Sequence, residues 1–394
     1  MFEHRIIEAF RSMKTPFYYY DMDWLETNLH ALRSYSDQMD VKVFYALKAN
    51  VNNPILRLIS DYGFGADCVS GNEIKKAIEI GFPPEKIVFA GVGKTDEEIG
   101  YALKQKIKCF NVESIHELRI IDDLSRRMGV QAPVALRINP DVDGHTLPGI
   151  TTGLKINKFN IGRNEIPEVL DILPHLAHIT FKGIHFHVGS QIRDMNVFVE
   201  LSRKINQIQD IFIEAGFLPG LINLGGGLGI DYQNPDNDPI PGYGNYFKAF
   251  LNTLNRLPGQ ELYVEPGRSV VGQCSSLIAS VLFLKKSGSV NYAIVDAGMN
   301  HFIRPALYHA EHKIQNLTGI GKEIKYHVAG PVCESSDIFG KNIILPELKR
   351  GDLLAIRSTG AYGEVMSSHY NLKEPAHTIY SHDLKQLKIN RVMV

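Results

Sequence analysis

The chain is short of cysteine, has a single tryptophan and carries almost no net charge. Its four cysteines (Cys68, Cys109, Cys274 and Cys333) lie far apart and form no CxxC pair. That argues against a disulfide framework or a metal site and points to a reducing cytoplasm. Forty-two basic residues against 43 acidic ones give a formal charge of −1. Such a balance argues against a nucleic-acid binder or an anionic-membrane binder driven by bulk charge. No apolar run reaches the roughly 18 residues of a membrane span. The opening MFEHRIIEAFRSMK scatters charge among its apolar residues, unlike a secretion signal. Low-complexity tracts and short sequence repeats are missing too. What remains is a core-forming composition, 44% hydrophobic, on 394 residues, enough for two or three domains.

A repeat of pattern is present. Short β-rich runs ending in polar or glycine residues recur at Val43–Leu47, Gly65–Ser70, Ile87–Gly91, Lys108–Val112, Val134–Ile138, Gly183–Val188, Leu221–Gly225 and Leu262–Glu265. Helical segments separate them. Phe198, Leu201, Ile205, Ile208 and Phe212 are spaced 3, 4, 3 and 4, one face of a helix. Thr95 opens another, as a hydroxyl cap followed by acidic residues. Strands alternating with helices pair in parallel through right-handed crossovers, and eight such units suit a (β/α)8 TIM barrel. An open doubly wound sheet is the alternative. After about residue 270 the texture turns to strands at Leu277–Lys285, Tyr292–Asp296, Glu323–Val328 and Asp352–Ser358. The expected organisation is a barrel over 24–268 and a mostly β domain, sandwich- or barrel-like, over 269–394. The strand-like Thr15–Asp21 suggests that residues 1–23 join that second domain.

In a TIM barrel, function sits at the C-terminal ends of the strands, and phosphate often binds in the loops after strands 7 and 8. The unusual polar residues fall there: Lys48 after strand 1, His187 and Ser190 after strand 6, Gly225–Gly229 after strand 7, and Glu265-Pro266-Gly267-Arg268 after strand 8. Each has a plain structural reading. Lys48 could snorkel to solvent, the glycines could make a turn, Glu265 could pair with Arg268, and His187 could be a satisfied core histidine. Together they match the needs of pyridoxal phosphate: an amine for the aldehyde, backbone amides for the phosphate, an acid for the ring nitrogen and a flat ring to stack. That cofactor supports loss of CO2 from a bound amino acid.

The stretches YALKAN (45–50), HVGSQ (187–191), GGGLG (225–229), EPGR (265–268), RPALY (304–308), GPVCESSD (330–337) and GAYG (360–363) resemble, in the same order, the diaminopimelate decarboxylases. These belong to the barrel-type, alanine-racemase-like class of pyridoxal-phosphate enzymes. The resemblance implies that Lys48 holds the cofactor aldehyde, His187 stacks on the ring, Ser190 and Gly225, Gly226 and Gly227 hold the phosphate, and Glu265 faces the pyridine nitrogen. Pro266, Gly267 and Tyr362 would lie against the cofactor, with Arg268 near its phosphate. Arg268, Arg304 and Tyr308 would hold a substrate carboxylate, Glu334 the distal ammonium, and Tyr362 would also face the substrate. Cys333 would be the proton donor, supplied by the second subunit of a homodimer. No metal is implied. The expected reaction is decarboxylation of meso-diaminopimelate to L-lysine, the last step of lysine biosynthesis.

Competing readings are a decarboxylase of ornithine, lysine or arginine, an amino-acid racemase, and an inactive cofactor-binding relative. Ornithine lacks a distal carboxylate and would leave Arg304 without a partner, and ornithine decarboxylases have aspartate after the cysteine where this chain has Glu334. A racemase needs a second acid/base group, and the inactive relative should lack Lys48 or Cys333. Two stretches depart from the family pattern. Lys158-Phe159-Asn160 stands where Lys-Phe-Gly is usual, and asparagine tolerates positive φ. Ser368-His369-Tyr370-Asn371 stands where Ser-Asn-Tyr-Asn is usual.

Overall fold

The computed structural model describes residues 2–144 and 159–384; Lys158 lies outside them. The chain divides into two units. One comprises residues 29–229 and 241–267; the other comprises 1–28, 230–240 and 268–394.

The first strand, β1 (Phe17–Tyr20), is followed by eight that close the barrel: β2 (Lys42–Ala46), β3 (Gly65–Cys68), β4 (Ile87–Phe89), β5 (Cys109–Val112), β6 (Ala132–Arg137), β7 (Ile179–His185), β8 (Leu221–Asn223) and β9 (Glu261–Val264). They pair in parallel in chain order, and β2 pairs with β9 to shut the ring. The eight expected runs are these strands, and the open-sheet alternative is excluded by the closure. Phe44, Val88, Cys109, Ala135, Leu221 and Tyr263 fill the interior as one buried cluster. A TIM barrel is therefore a packed core, with room for chemistry only at its ends.

The helices form where their signals lie. Thr95 caps Asp96–Gln105 with a full capping box, its side chain accepting from the Glu98 N–H while Glu98 accepts in return. Met195–Glu214 buries Phe198, Leu201, Ile205, Ile208 and Phe212, the face read from their spacing.

The second unit is mostly strand. β10 (Ser275–Ser287) pairs antiparallel with β1 and β15 (Leu353–Arg357) along its buried first half. Past a bulge at Val281/Phe283 it pairs with β11 (Val290–Val295). β11 then pairs with β13 (Glu323–Ala329), and β13 with β14 (Ile338–Pro346). β12 (Ile314–Asn316) edges β15, and β16 (His377–Tyr380) lies parallel to β1. The sequence reading omits β12, β14 and β16. Two are only three and four residues long, and β14 carries Gly340 and a left-handed Asn342, so none shows a clean alternation. Among the described residues no helix is long and apolar enough to cross a membrane.

Candidate active site

β2 runs into one 3-10 turn, Leu47–Ala49, which buries Leu47 and Ala49 and leaves Lys48 exposed between them. Tyr45, fully buried, donates its hydroxyl to the Asn50 carbonyl at 3.0 Å and fastens the turn. At the end of β9, the Ala46 N–H donates to the Pro266 carbonyl at 3.2 Å, so Pro266 extends the barrel closure beyond the strands. Gly267 is buried beside it.

Glu265, 8% exposed, is a buried carboxylate held by side-chain donors. Asn223 Nδ2 and Asn111 Nδ2 donate to its Oε1 at 2.6 and 3.0 Å, and His185 Nε2 lies 3.0 Å from Oε2. Burial raises its pKa, while the Asn223 hydrogen bond and the charges of Lys48 and Arg137 hold it down. Asp67 is buried as well. Desolvation and then the charge of Glu265 push its carboxyl well above the usual range, and its Oδ1 has no hydrogen-bond partner. Donors surround only Glu265, so the anion sits there and the proton on Asp67. A carboxylate offers about four lone-pair directions. Three are used at Glu265, which leaves capacity for one more donor.

Burial, together with the charges of Arg137 and Lys48, depresses both His185 and His187, so both rings are neutral. His185 then carries its proton on Nε2 toward Glu265, and its Nδ1 is bare and unpaired. His187 accepts at Nδ1 from the Gly226 N–H at 3.2 Å, which places its own proton on Nε2. The glycine run is dictated by crowding. Gly225 sits at φ +70, where a Cβ would come within 2.2 Å of the Phe186 carbonyl; one on Gly226 would come within 2.2 Å of the Glu265 carbonyl. The Gly225 N–H donates to Asn223 Oδ1 at 3.0 Å, whereas that of Gly227 has no acceptor among the described residues. Ser190 is half-buried in a loop laced to the glycines: the Ile192 N–H donates to the Gly227 carbonyl, and the Gly229 N–H to that of Ile192, both at 2.9 Å.

Sequence reading missed an ion-pair network in the same unit. Arg137, the last residue of β6, donates Nη1 to Glu113 Oε1 at 3.0 Å, and Glu113 also accepts the N–H groups of Gly91 and Asn160. The Arg137 guanidinium lies 5.1 Å from the Phe159 ring centroid, and its Nε is buried without a partner. A signal existed: Arg137 stands between apolar Leu136 and Ile138 in a barrel strand. Asn160 adopts φ +74, the conformation that glycine would take there.

In the other unit two buried arginines share aromatic neighbours. Arg268 opens the short helix Arg268–Val271, and its Nη1 donates to the Tyr232 hydroxyl at 2.5 Å. Its guanidinium lies 5.0 Å from the ring of Tyr362, a residue held at φ +55. Arg304, 5% exposed, opens the helix Arg304–Tyr308 and lies 5.4 and 5.9 Å from the Tyr232 and Tyr308 rings. No carboxylate among the described residues pairs with it. Cys333 and Glu334 are exposed. Asn371 Oδ1 accepts the Cys333 N–H at 3.2 Å, and Tyr370 donates its hydroxyl to Glu334 Oε1 at 2.6 Å. Asp337 shapes this loop by accepting the N–H groups of Val332 and Met299. Tyr232, Asn111 and Asn223 were not anticipated, because single polar residues inside loops and strands carry no spacing signal; Tyr370 and Asn371 belong to the Ser368–Asn371 stretch, which the sequence reading singled out without giving either a role.

The barrel residues fit pyridoxal phosphate. A carboxylate with one acceptor direction to spare suits a protonated ring nitrogen. Glycines that admit no Cβ, one with an open N–H, suit a phosphate. Buried polar atoms at Arg137 and His185 await partners. Among the described residues no cluster could hold a metal ion.

Comparisons with known proteins agree with this chemistry. Residues 25–272 match the family described as pyridoxal-dependent decarboxylase, pyridoxal binding domain. The chain is 49% identical over 369 residues to a diaminopimelate decarboxylase of Bacteroides thetaiotaomicron, covering 93% of this chain and 96% of that protein. It is 38% identical over 371 residues to that of Aquifex aeolicus, covering 94% and 87%. The crystal structure of the Helicobacter pylori diaminopimelate decarboxylase complexed with L-lysine matches with a TM-score of 0.89 at 41% identity, over 95% of this chain and 94% of that one.

Proposed function

The chain belongs to the pyridoxal-dependent decarboxylase family, and from that premise we infer that it converts meso-diaminopimelate to L-lysine and CO2. It is a carboxy-lyase, and its cofactor is pyridoxal 5'-phosphate. When bound, the cofactor supplies the electron sink that loss of CO2 requires.

The protein's own residues divide the remaining work. Lys48 holds the cofactor aldehyde, and its exposure on a turn pinned by Tyr45 supports that role. Glu265, kept anionic by Asn111, Asn223 and His185, faces the ring nitrogen and keeps it protonated. His187, neutral and oriented by Gly226, lies against the ring. Gly225, Gly226, Gly227 and Ser190 cradle the phosphate, with Pro266, Gly267 and Tyr362 against the cofactor. Arg268, Arg304 and Tyr308 bind the carboxylate that is not lost, and Glu334 binds the amine beside it. The Cys333 thiol donates the proton that replaces CO2. Cys333 is exposed in the single chain, which supports its delivery to the site of a second subunit in a homodimer. All four cysteines are free, which supports a cytoplasmic setting.

The observation that carries the substrate assignment is Arg304, buried and, among the described residues, without a carboxylate. A buried guanidinium calls for an anion, and its fork matches a carboxylate. Arg304→Ala should lower kcat/KM for meso-diaminopimelate by about 10²- to 10³-fold, the scale of a lost charge-assisted contact. Binding of cadaverine, which has no carboxylate, should hold. Equal loss for both ligands would contradict the assignment.

A further inference from the structure

His312 is a buried imidazole to which neither the motifs nor the reaction above gives a role; it follows RPALY by four residues. Its Nδ1 lies 2.9 Å from the Arg357 carbonyl, which can only accept, so Nδ1 carries the proton. Nε2 is therefore a bare lone pair, and Arg304 directs its Nε–H at it across 3.5 Å, the long end of the hydrogen-bonding range. The imidazole is clamped as well as polarised. Tyr232 lies 4.5 Å from it at an interplanar angle of 60°, and Phe302 lies 4.7 Å away edge-on. Burial first, and then the charge of Arg304, push His312 down to about 3, so the ring stays an acceptor at any physiological pH.

We propose that His312 is a positioning residue of substrate recognition: its Nε2 takes the Nε–H of Arg304 and turns the two terminal nitrogens of that guanidinium toward the retained carboxylate. This rests on the reading of Arg304 as the carboxylate's partner. The geometry distinguishes the role from packing. A guanidinium has three nitrogens, and an acceptor on Nε leaves the Nη1/Nη2 edge for a bidentate carboxylate. Tyr232 serves the same cluster, since its hydroxyl accepts from Arg268 while its ring lies beside both Arg304 and His312.

The test uses the holoenzyme with meso-diaminopimelate as substrate and with L-lysine and cadaverine as competing ligands. His312→Phe keeps an aromatic ring between Tyr232 and Phe302 but removes the acceptor. It should raise KM for meso-diaminopimelate and Ki for L-lysine by roughly 5- to 30-fold, with kcat changed less than about twofold, the pattern of lost uniform binding. Cadaverine should bind as before. His312→Gln, whose amide oxygen reaches toward Arg304, should recover most of the affinity for L-lysine. If the phenylalanine variant does not fold, His312→Asn takes its place, because it keeps a donor for the Arg357 carbonyl and is too short for Arg304. Unchanged Ki for L-lysine in these variants overturns the proposal, as does equal weakening of L-lysine and cadaverine. Arg304→Ala, run alongside, separates the two levels. If it abolishes discrimination between L-lysine and cadaverine while the His312 variants retain it, only the positioning role fails. If Arg304→Ala leaves discrimination intact, the carboxylate assignment fails and the positioning role with it.

Discussion

Asp67 and Glu265 are two buried carboxyls with unlike surroundings: burial and the field of Glu265 raise Asp67, while hydrogen-bond donors favour the anion at Glu265. Glu265 has three donors around it, whereas Asp67 Oδ1 has none and lies in the field of Glu265. Two carboxylates in one field cannot both ionise at no cost, and the hydrogen bonds favour ionisation of Glu265. The site thus keeps a negative charge opposite the expected position of the ring nitrogen without accumulating a second one.

That division has a consequence for stability. A carboxyl raised in the folded state contributes stability below its unfolded pKa of about 3.9, and the contribution is lost as pH rises through the folded value. Asp67 is such a group, raised by burial and by Glu265. Without cofactor, the wild-type protein should lose up to about 1.4 kcal/mol per pH unit from this group across that window. Asp67→Asn removes the titration, so its melting temperature should fall less steeply as pH rises above the unfolded carboxyl value of about 3.9. Parallel melting profiles for the two proteins would mean that Asp67 does not take up the proton.

Glu265→Gln removes the anion while preserving size. One amide of Asn111 or Asn223 would then face an NH2 group, but the cofactor should still bind through Lys48 and the phosphate loop. The expected result is a loss in kcat of about 10²- to 10³-fold, the scale of a removed electrostatic partner, with bound cofactor still visible by absorbance. Activity within about threefold of wild type would remove Glu265 from the reaction.

Lys48 and Cys333 supply a test of the shared site. Lys48→Ala should lose the absorbance of covalently held cofactor, and Cys333→Ala should keep it; each alone should be nearly inactive. If Cys333 serves the neighbouring subunit, mixed dimers of the two variants contain one intact site, and mixing should restore part of the activity. No restoration, with subunit exchange demonstrated, would mean that each chain carries a whole site.

Much of this was legible from residue order. The eight strands announce themselves because each is a short apolar run closed by glycine or a polar residue, and the helix faces follow from the spacing of Phe198 to Phe212. The barrel-end residues stand out because Lys48 and Glu265 are charged groups at the ends of apolar strands. The supporting residues were hidden for a physical reason. Asn111, Asn223 and His185 sit inside strands where a lone polar residue has no partner in sequence, and their partner Glu265 is 42 to 154 positions away. Tyr232 and His312 act on arginines brought near by folding rather than by spacing. Asn160 was different: its tolerance of positive φ could be argued from the residue type, and it adopts φ +74.

The most direct test of the central claim is CO2 release by the purified protein with pyridoxal phosphate, offered meso-diaminopimelate, ornithine, lysine and arginine side by side. Release from meso-diaminopimelate alone is predicted, because only that substrate brings a distal carboxylate to Arg304. Release from ornithine or lysine instead would contradict the roles given to Arg304 and Glu334 while leaving the barrel and its cofactor chemistry in place.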